Sequence, residues 1–265
     1  MNAHEIDYKI IGDDMQCVEI ELDPQETIVA EAGSLMMKDA EIVMQTIFGD
    51  GSGQETGFFG KVLSAGKRLL TGESLFLTAY THMGQGKKQV TFAAPYPGKV
   101  VAFDLSQYQG KVVCQKDAFL CAAKGVAVGI EFQKKIGTGL FGGEGFIMQK
   151  LEGDGLAFIH AGGTIIEKTL LPGEKLHVDT GCLVALTRDV NYDIEFVGGI
   201  KNTLFGGEGV FFASLSGPGK VWIQSLPFSR LAGRIVASAP QLGGSRKGEG
   251  SILGGLGGLI DGDNS

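Results

Sequence analysis

Val18-Glu19-Ile20-Glu21-Leu22 alternates apolar and polar positions, and so does Leu176-His177-Val178-Asp179. A period of two belongs to a strand with one face turned inward. The runs Val100 to Leu105 and Thr164 to Thr169 are short and rich in β-branched residues, which predicts further strands. Between the runs stand Pro97-Gly98, Pro172-Gly173 and Gly217-Pro218-Gly219, all turn-forming pairs. Helical spacing is found in two places only, Phe59 to Leu70 and Ser229 to Val236. The pattern predicts an all-β chain.

The same pattern recurs. Displaced by 64 positions, residues 98–159 fall without a gap on residues 162–223. Ile130-Glu131-Phe132 lands on Ile194-Glu195-Phe196, and Leu140-Phe141-Gly142-Gly143-Glu144-Gly145 lands on Leu204-Phe205-Gly206-Gly207-Glu208-Gly209. A more worn third copy lies at the N-terminus. There Pro24, Glu26 and Ile28 match Pro172, Glu174 and Leu176 at an offset of 148, and Glu31, Gly33 and Leu35 match Asp179, Gly181 and Leu183. Three units follow, about 8–94, 95–160 and 161–238, with an insertion near 48–68. A unit this small buries a core poorly alone, whereas three packed round one axis share one. The expectation is a single domain over residues 1–240, a pseudo-threefold three-repeat β-barrel or prism, followed by a Gly/Leu-rich tail over 241–265.

Composition narrows the function. A net charge of −7 argues against a general nucleic-acid binder. The first residues lack both a basic region and an apolar stretch, and no run reaches the ~20 apolar residues of a membrane-spanning helix, so a cytoplasmic protein is expected. Cys182 falls where the other copies have Ser34 and Ala118, and Cys121 falls on Ala185. Cysteines that trade with small residues predict reduced, buried thiols rather than disulfides.

Candidate chemistry is thin. Gly137-Thr138-Gly139-Leu140-Phe141-Gly142 fits the dinucleotide fingerprint in letters, but no strand–turn–helix context surrounds it. The equivalent stretch of the last copy starts Lys201-Asn202-Thr203 and lacks the leading glycines. Glu73, Glu144 and Glu208 recur at equivalent positions, as turn-capping groups or as carboxylates for a hard cation, the capping role being the simpler. The histidines His4, His82, His160 and His177 form no His-x-His pair. Neither a nucleophile elbow nor a phosphate-binding loop occurs. No metal, cofactor or catalytic residue is assigned. A ligand site on such a scaffold would collect polar residues present in one copy only, such as His82, His160, Arg188 and Asp189.

Two segments depart from the repeat. The insertion places Phe58 and Phe59 beside Lys61, Lys67 and Arg68, a mixture suited to an anionic membrane surface or a neighbouring subunit. The tail carries Leu253, Leu256, Leu259 and Ile260 among dense glycine, which reads as a sticky peptide or as an unstructured end.

The stretch Ala30 to Met36, Phe58-Phe59-Gly60, Gly72 to Phe76, Leu140 to Gly145 and the glycine-leucine tail together resemble one family. It is the bacterial family of unknown function related to the altered-inheritance-of-mitochondria (mitochondrial biogenesis) proteins. The resemblance implies a fold of the kind found in the trp RNA-binding attenuation protein (TRAP-like), a double-stranded β-helix variant. It implies no established enzyme activity, and the mitochondrial relatives are associated with inner-membrane organisation. The leading expectation is a non-enzymatic scaffold or membrane-surface-associated protein acting as a homo-oligomer, most plausibly a trimer. The alternative is a small-ligand-binding protein or enzyme with a site between repeats or subunits.

Overall fold

The structure is a computed structural model that describes residues 3–48, 76–134, 145–196 and 211–239. The first third of the chain runs β1 (Asp7–Ile11), β2 (Cys17–Leu22), β3 (Thr27–Glu31), β4 (Leu35–Lys38), β5 (Ile42–Phe48), β6 (Phe76–His82) and β7 (Lys88–Ala93). The middle third runs β8 (Gly98–Asp104), β9 (Lys111–Gln115), β10 (Phe119–Ala123), β11 (Ala127–Lys134), β12 (Phe146–Glu152) and β13 (Leu156–Gly162), with short 3-10 turns at Leu105–Tyr108 and Lys116–Ala118. The last third runs β14 (Ile165–Leu170), β15 (Lys175–Asp179), β16 (Leu183–Thr187), β17 (Asn191–Phe196), β18 (Phe211–Ser216) and β19 (Gly219–Gln224). Among the described residues a helix, α1 (Phe228–Ser238), follows.

The chain is therefore predominantly β, as the alternation predicts. Val18, Ile20 and Leu22 of β2 are fully buried, while Cys17, Glu19 and Glu21 between them are only half-buried. The expected strand at Thr164 to Thr169 appears as β14, shifted by one residue, and the expected helix at Ser229 to Val236 lies inside α1. The run Val100 to Leu105 ends one residue early. Asp104 caps the following turn by accepting from the Ser106 N–H, which draws Leu105 into the 3-10 segment.

A closed barrel does not form. The strands make four separate sheets, in the orders β1-β2-β7-β4, β5-β6-β3-β10-β13-β8, β11-β12-β9-β16-β19-β14 and β15-β18-β17. Pairing within each third follows one scheme: β2–β7, β4–β7, β3–β6 and β5–β6 in the first, β8–β13, β10–β13, β9–β12 and β11–β12 in the second, β14–β19, β16–β19, β15–β18 and β17–β18 in the third. All are antiparallel. The ladder slips by one residue at the same place in each third, between Leu35 and Met37, Phe119 and Cys121, and Leu183 and Ala185. Two joints connect successive thirds, β3 with β10 and β9 with β16. The remaining pair of corresponding strands, β4 and β15, are sheet edges among the described residues.

Small residues make the joints possible. At the first joint Cys121 faces Ala30, and every residue of β10 is buried. At the second, Ala185 faces Cys114, both at 0 % exposure. Strands covered on both faces leave no room for large side chains on both. All four cysteines are free thiols; Cys114 and Cys121 are buried, whereas Cys17 and Cys182 are half-buried.

Three clusters of apolar side chains fill the interior. The middle one contains Phe103 in edge-on contact with Trp222 at 4.8 Å, and Tyr108 closes on both rings. Edge-on aromatic pairs add to the energy of simple burial. The chain divides into two compact units, Met1–Ser229 and Arg230–Ser265, and every described strand belongs to the first. In the second unit the described residues continue α1, whose Ile235 and Val236 are exposed.

Phe103 is fully buried in that aromatic group, so Phe103→Ala should destabilise the protein by about 3–5 kcal/mol. Urea unfolding followed by Trp222 fluorescence measures the loss directly.

Candidate functional site

A pocket of about 330 Å³ opens between the first and second thirds of the strand scheme. That volume is at the lower end of small-molecule sites. Its floor consists of buried Ser34, Phe119, Leu120 and His160. Leu120 is the extra residue of the ladder slip between Phe119 and Cys121, so an irregularity of β10 shapes the floor. Glu31 and Tyr96 form walls, while Asp117 and Phe228 stand at the exposed rim.

His160 is the decisive side chain. It sits on β13 opposite Val100, is 2 % exposed, and neither of its ring nitrogens has a hydrogen-bond partner. The Tyr96 ring meets it edge-on at 4.6 Å. A side chain on Gly98 would lie 2.6 Å from Nε2, so the imidazole fits only because that position is glycine. Burial lowers the pKa of His160 to about 4, and the ring is neutral at pH 7. A buried imidazole with both nitrogens unpaired costs free energy that a bound polar group would recover.

The corresponding residue 64 positions on, Gln224, shows the contrast. Its amide oxygen accepts from the Gly162 N–H at 2.8 Å, and its amide nitrogen donates to the Gly181 carbonyl at 2.8 Å. There the side chain stitches neighbouring segments together. His160 holds the same place in the strand scheme with no such partners.

The acidic groups are also frustrated. Burial raises the pKa of Glu31 to about 7, the nearby Asp117 charge adds to the rise, and Lys116 opposes it. Burial likewise moves Tyr96 to about 12, with smaller contributions from Asp117 and Glu31. No group of three or more histidine, cysteine or acidic side chains able to hold a metal exists among the described residues.

Sequence reasoning named His160 as a polar residue peculiar to one copy, and the structure brings it to the pocket. The other three it named go elsewhere. His82 is buried but satisfied: its Nδ1 accepts from the Gly84 N–H at 3.1 Å and its Nε2 faces the Gly86 carbonyl at 2.7 Å. Arg188 and Asp189 lie on the surface, where both reach Gln109. Phe58, Phe59, Lys61, Lys67, Arg68, Leu253, Leu256, Leu259 and Ile260, with the recurring Glu73, Glu144 and Glu208, lie outside the described residues. Asp117 was missed, although the sequence carried a signal. It stands where the other copies have Gly33 and Gly181.

A profile of the mitochondrial biogenesis AIM24 family matches residues 8–226. The chain belongs to that family. An uncharacterised protein of Streptococcus pyogenes serotype M6 is 32% identical over 227 residues, covering 84% of this chain and 86% of the relative. The crystal structure of another S. pyogenes protein, a structural-genomics target, superposes with a TM-score of 0.69 at 24% identity. It covers 89% of this chain and 100% of that one, and it supports the fold. Among the described residues, no helix of this AIM24-family chain is long and apolar enough to cross a membrane.

The two titrating groups act in opposite senses on stability. Below pH 6.5 the unfolded chain takes up a proton that folded His160 refuses until about pH 4, so its contribution is lost on acidification through that interval. Folded Glu31 keeps its proton up to about pH 7 while the unfolded chain gives it up near 4.5, so its contribution is lost as pH rises between those values. His160→Gln should remove an acid-side loss of about 1–3 kcal/mol. Glu31→Gln should remove the decline toward neutrality. Urea titrations from acid to neutral pH resolve both limbs.

Proposed function

We propose that this AIM24-family protein is a non-enzymatic small-ligand-binding scaffold, whose ligand occupies the pocket between the first two units of a pseudo-threefold, TRAP-like frame. The observation that carries this is His160, buried at the floor with two unpartnered nitrogens. A neutral imidazole offers one donor and one acceptor, and the apolar lining of Phe119, Leu120 and Phe228 supplies contact area. The reading is non-enzymatic because, among the described lining residues, the Ser34 hydroxyl donates to the Glu31 carbonyl rather than to the His160 imidazole. The pocket's neutral imidazole, protonatable carboxyl and phenol suit recognition.

The test uses the imidazole itself. In protein labelled at histidine, three small aryl probes, cationic, neutral and anionic, are titrated while the His160 Cε1–H resonance is followed. At least one probe should shift it in the native chain, and none should in Ala94→Trp, where an indole fills the pocket. An unmoved His160 resonance with all three probes removes this function.

A second reading, assembly of copies, has its own observation. Among the described residues, β4 and β15 each pair on one side only, although both of their counterpart pairs, β10 with β3 and β16 with β9, are joined. Met36 and Met37 on β4 are exposed. Exposed strand edges with apolar neighbours favour pairing between chains. In this reading β4 of one copy accepts β15 of the next, and three copies close a ring. Light scattering after size exclusion should then give a trimer that Met37→Lys dissociates. A monomer at every concentration rejects assembly.

A further inference from the structure

We propose that the pocket selects an organic cation: a primary ammonium carried on a short apolar or aromatic body. The proposal rests on the ligand-binding reading above and deepens it to a chemical class. Three features of the wall converge on that class.

The first is the disposition of charge. Glu31 and Asp117 both line the pocket, contributed by the end of β3 and by the turn before β10. The Asp117 charge raises the pKa of Glu31 and Lys116 opposes it, so the two carboxyl groups repel one another. An anion entering here meets one acid at the wall and another at the rim. A neutral molecule leaves their repulsion in place. An ammonium relieves it and donates three hydrogen bonds.

The second is aromatic placement. Tyr96 lies 5.2 Å from Phe228, ring centre to ring centre, at a tilt of 42°, and Phe119 forms part of the floor. Aromatic faces attract a cation electrostatically and cover an aryl body equally well. The third is His160, whose neutral ring leaves a nitrogen lone pair at the floor for a donor on the ligand. An ammonium, or a hydroxyl beside it, satisfies that lone pair.

Size agrees with the class. About 330 Å³ holds a single-ring amine but not a nucleotide or a peptide segment. The metal alternative has no set of three suitable ligands among the described residues.

Ammonium binding is linked to the charge on Glu31, so its pH dependence is defined. Among the described residues, the titratable or charged groups facing Glu31 are Asp117 and Lys116 from the turn before β10, Tyr96 from the segment after β7, His160 from β13 and the buried Cys114 thiol of β9, which burial keeps protonated. Tyr96 and His160 are both neutral near pH 7, being shifted to about 12 and about 4. Glu31 changes charge there, so affinity for an ammonium rises with pH as Glu31 gives up its proton.

The experiment takes three probes of one shape: phenethylamine, hydrocinnamamide and hydrocinnamate. Each is titrated into the full chain at mildly acid and mildly alkaline pH, with the His160 resonance as reporter of the pocket and dissociation constants as readout. Phenethylamine should bind at least about tenfold more tightly than the amide, and the carboxylate weakest of all. Its affinity should rise about tenfold as pH passes through the Glu31 transition. Glu31→Gln should flatten that rise, and Asp117→Asn should weaken the amine while leaving the amide unchanged. Thermal melts of both variants verify that they remain folded. Equal or stronger binding of the amide or carboxylate overturns the cation class while leaving the pocket as a ligand site. Amine binding indifferent to both acidic substitutions overturns it too. No perturbation by any probe overturns both this proposal and the function on which it rests.

Discussion

Everything in this molecule depends on two lines of backbone hydrogen bonds, where β3 meets β10 and β9 meets β16. They join strands of successive thirds into the two six-stranded sheets. Their cost is steric, because the strands concerned are covered on both faces. Ala30, Cys121, Ala122 and Ala123 crowd the first joint and Cys114 and Ala185 the second, all at 0 % exposure. Where the corresponding small residue is replaced by a large one, the joint is missing. Met37 occupies the place of Cys121 and Ala185, and its strand β4 is an edge.

The pocket follows from the same plan. Each joint brings the end of one strand pair against the start of another, and polar backbone groups must be satisfied there. Gln224 does this for the later units with one amide that accepts from Gly162 and donates to Gly181. At the earlier place an imidazole substitutes for the amide, leaving two nitrogens without partners and a space bounded by Glu31 and Asp117. A site made by omitting a structural bond from a repeated frame needs no special loop. It explains why this family member carries a pocket without any recognisable motif.

Much of the strand content was legible because alternation is a local property. β2 and β15 can be read residue by residue from their apolar positions. The open edge was not legible, since Met37, at the place of Cys121 and Ala185, reads in the sequence as one more apolar strand residue. The site was half legible. His160 stood out as a histidine where the last copy has Gln224, but periodicity cannot separate an orphaned histidine from one, such as His82, satisfied by the backbone of its own turn. Asp117 escaped because a substitution at a glycine position reads first as turn variation. Glu31 escaped because Asp179 matches it in charge, although Asp179 accepts from the nearby Gly181 N–H while Glu31 faces the pocket.

The cysteines add a dimension of their own. Cys121 lies in one joint and Cys114 in the other, each fully buried, and burial pushes both thiols far above their ordinary pKa. Neither reacts while its joint is closed, since the nucleophile is the thiolate and the reagent needs access. The protein thus contains two silent gauges, one per seam. The rate at which each sulfur is alkylated reports how often that seam breathes, and comparison of the two tells whether the strand sets part together or one at a time.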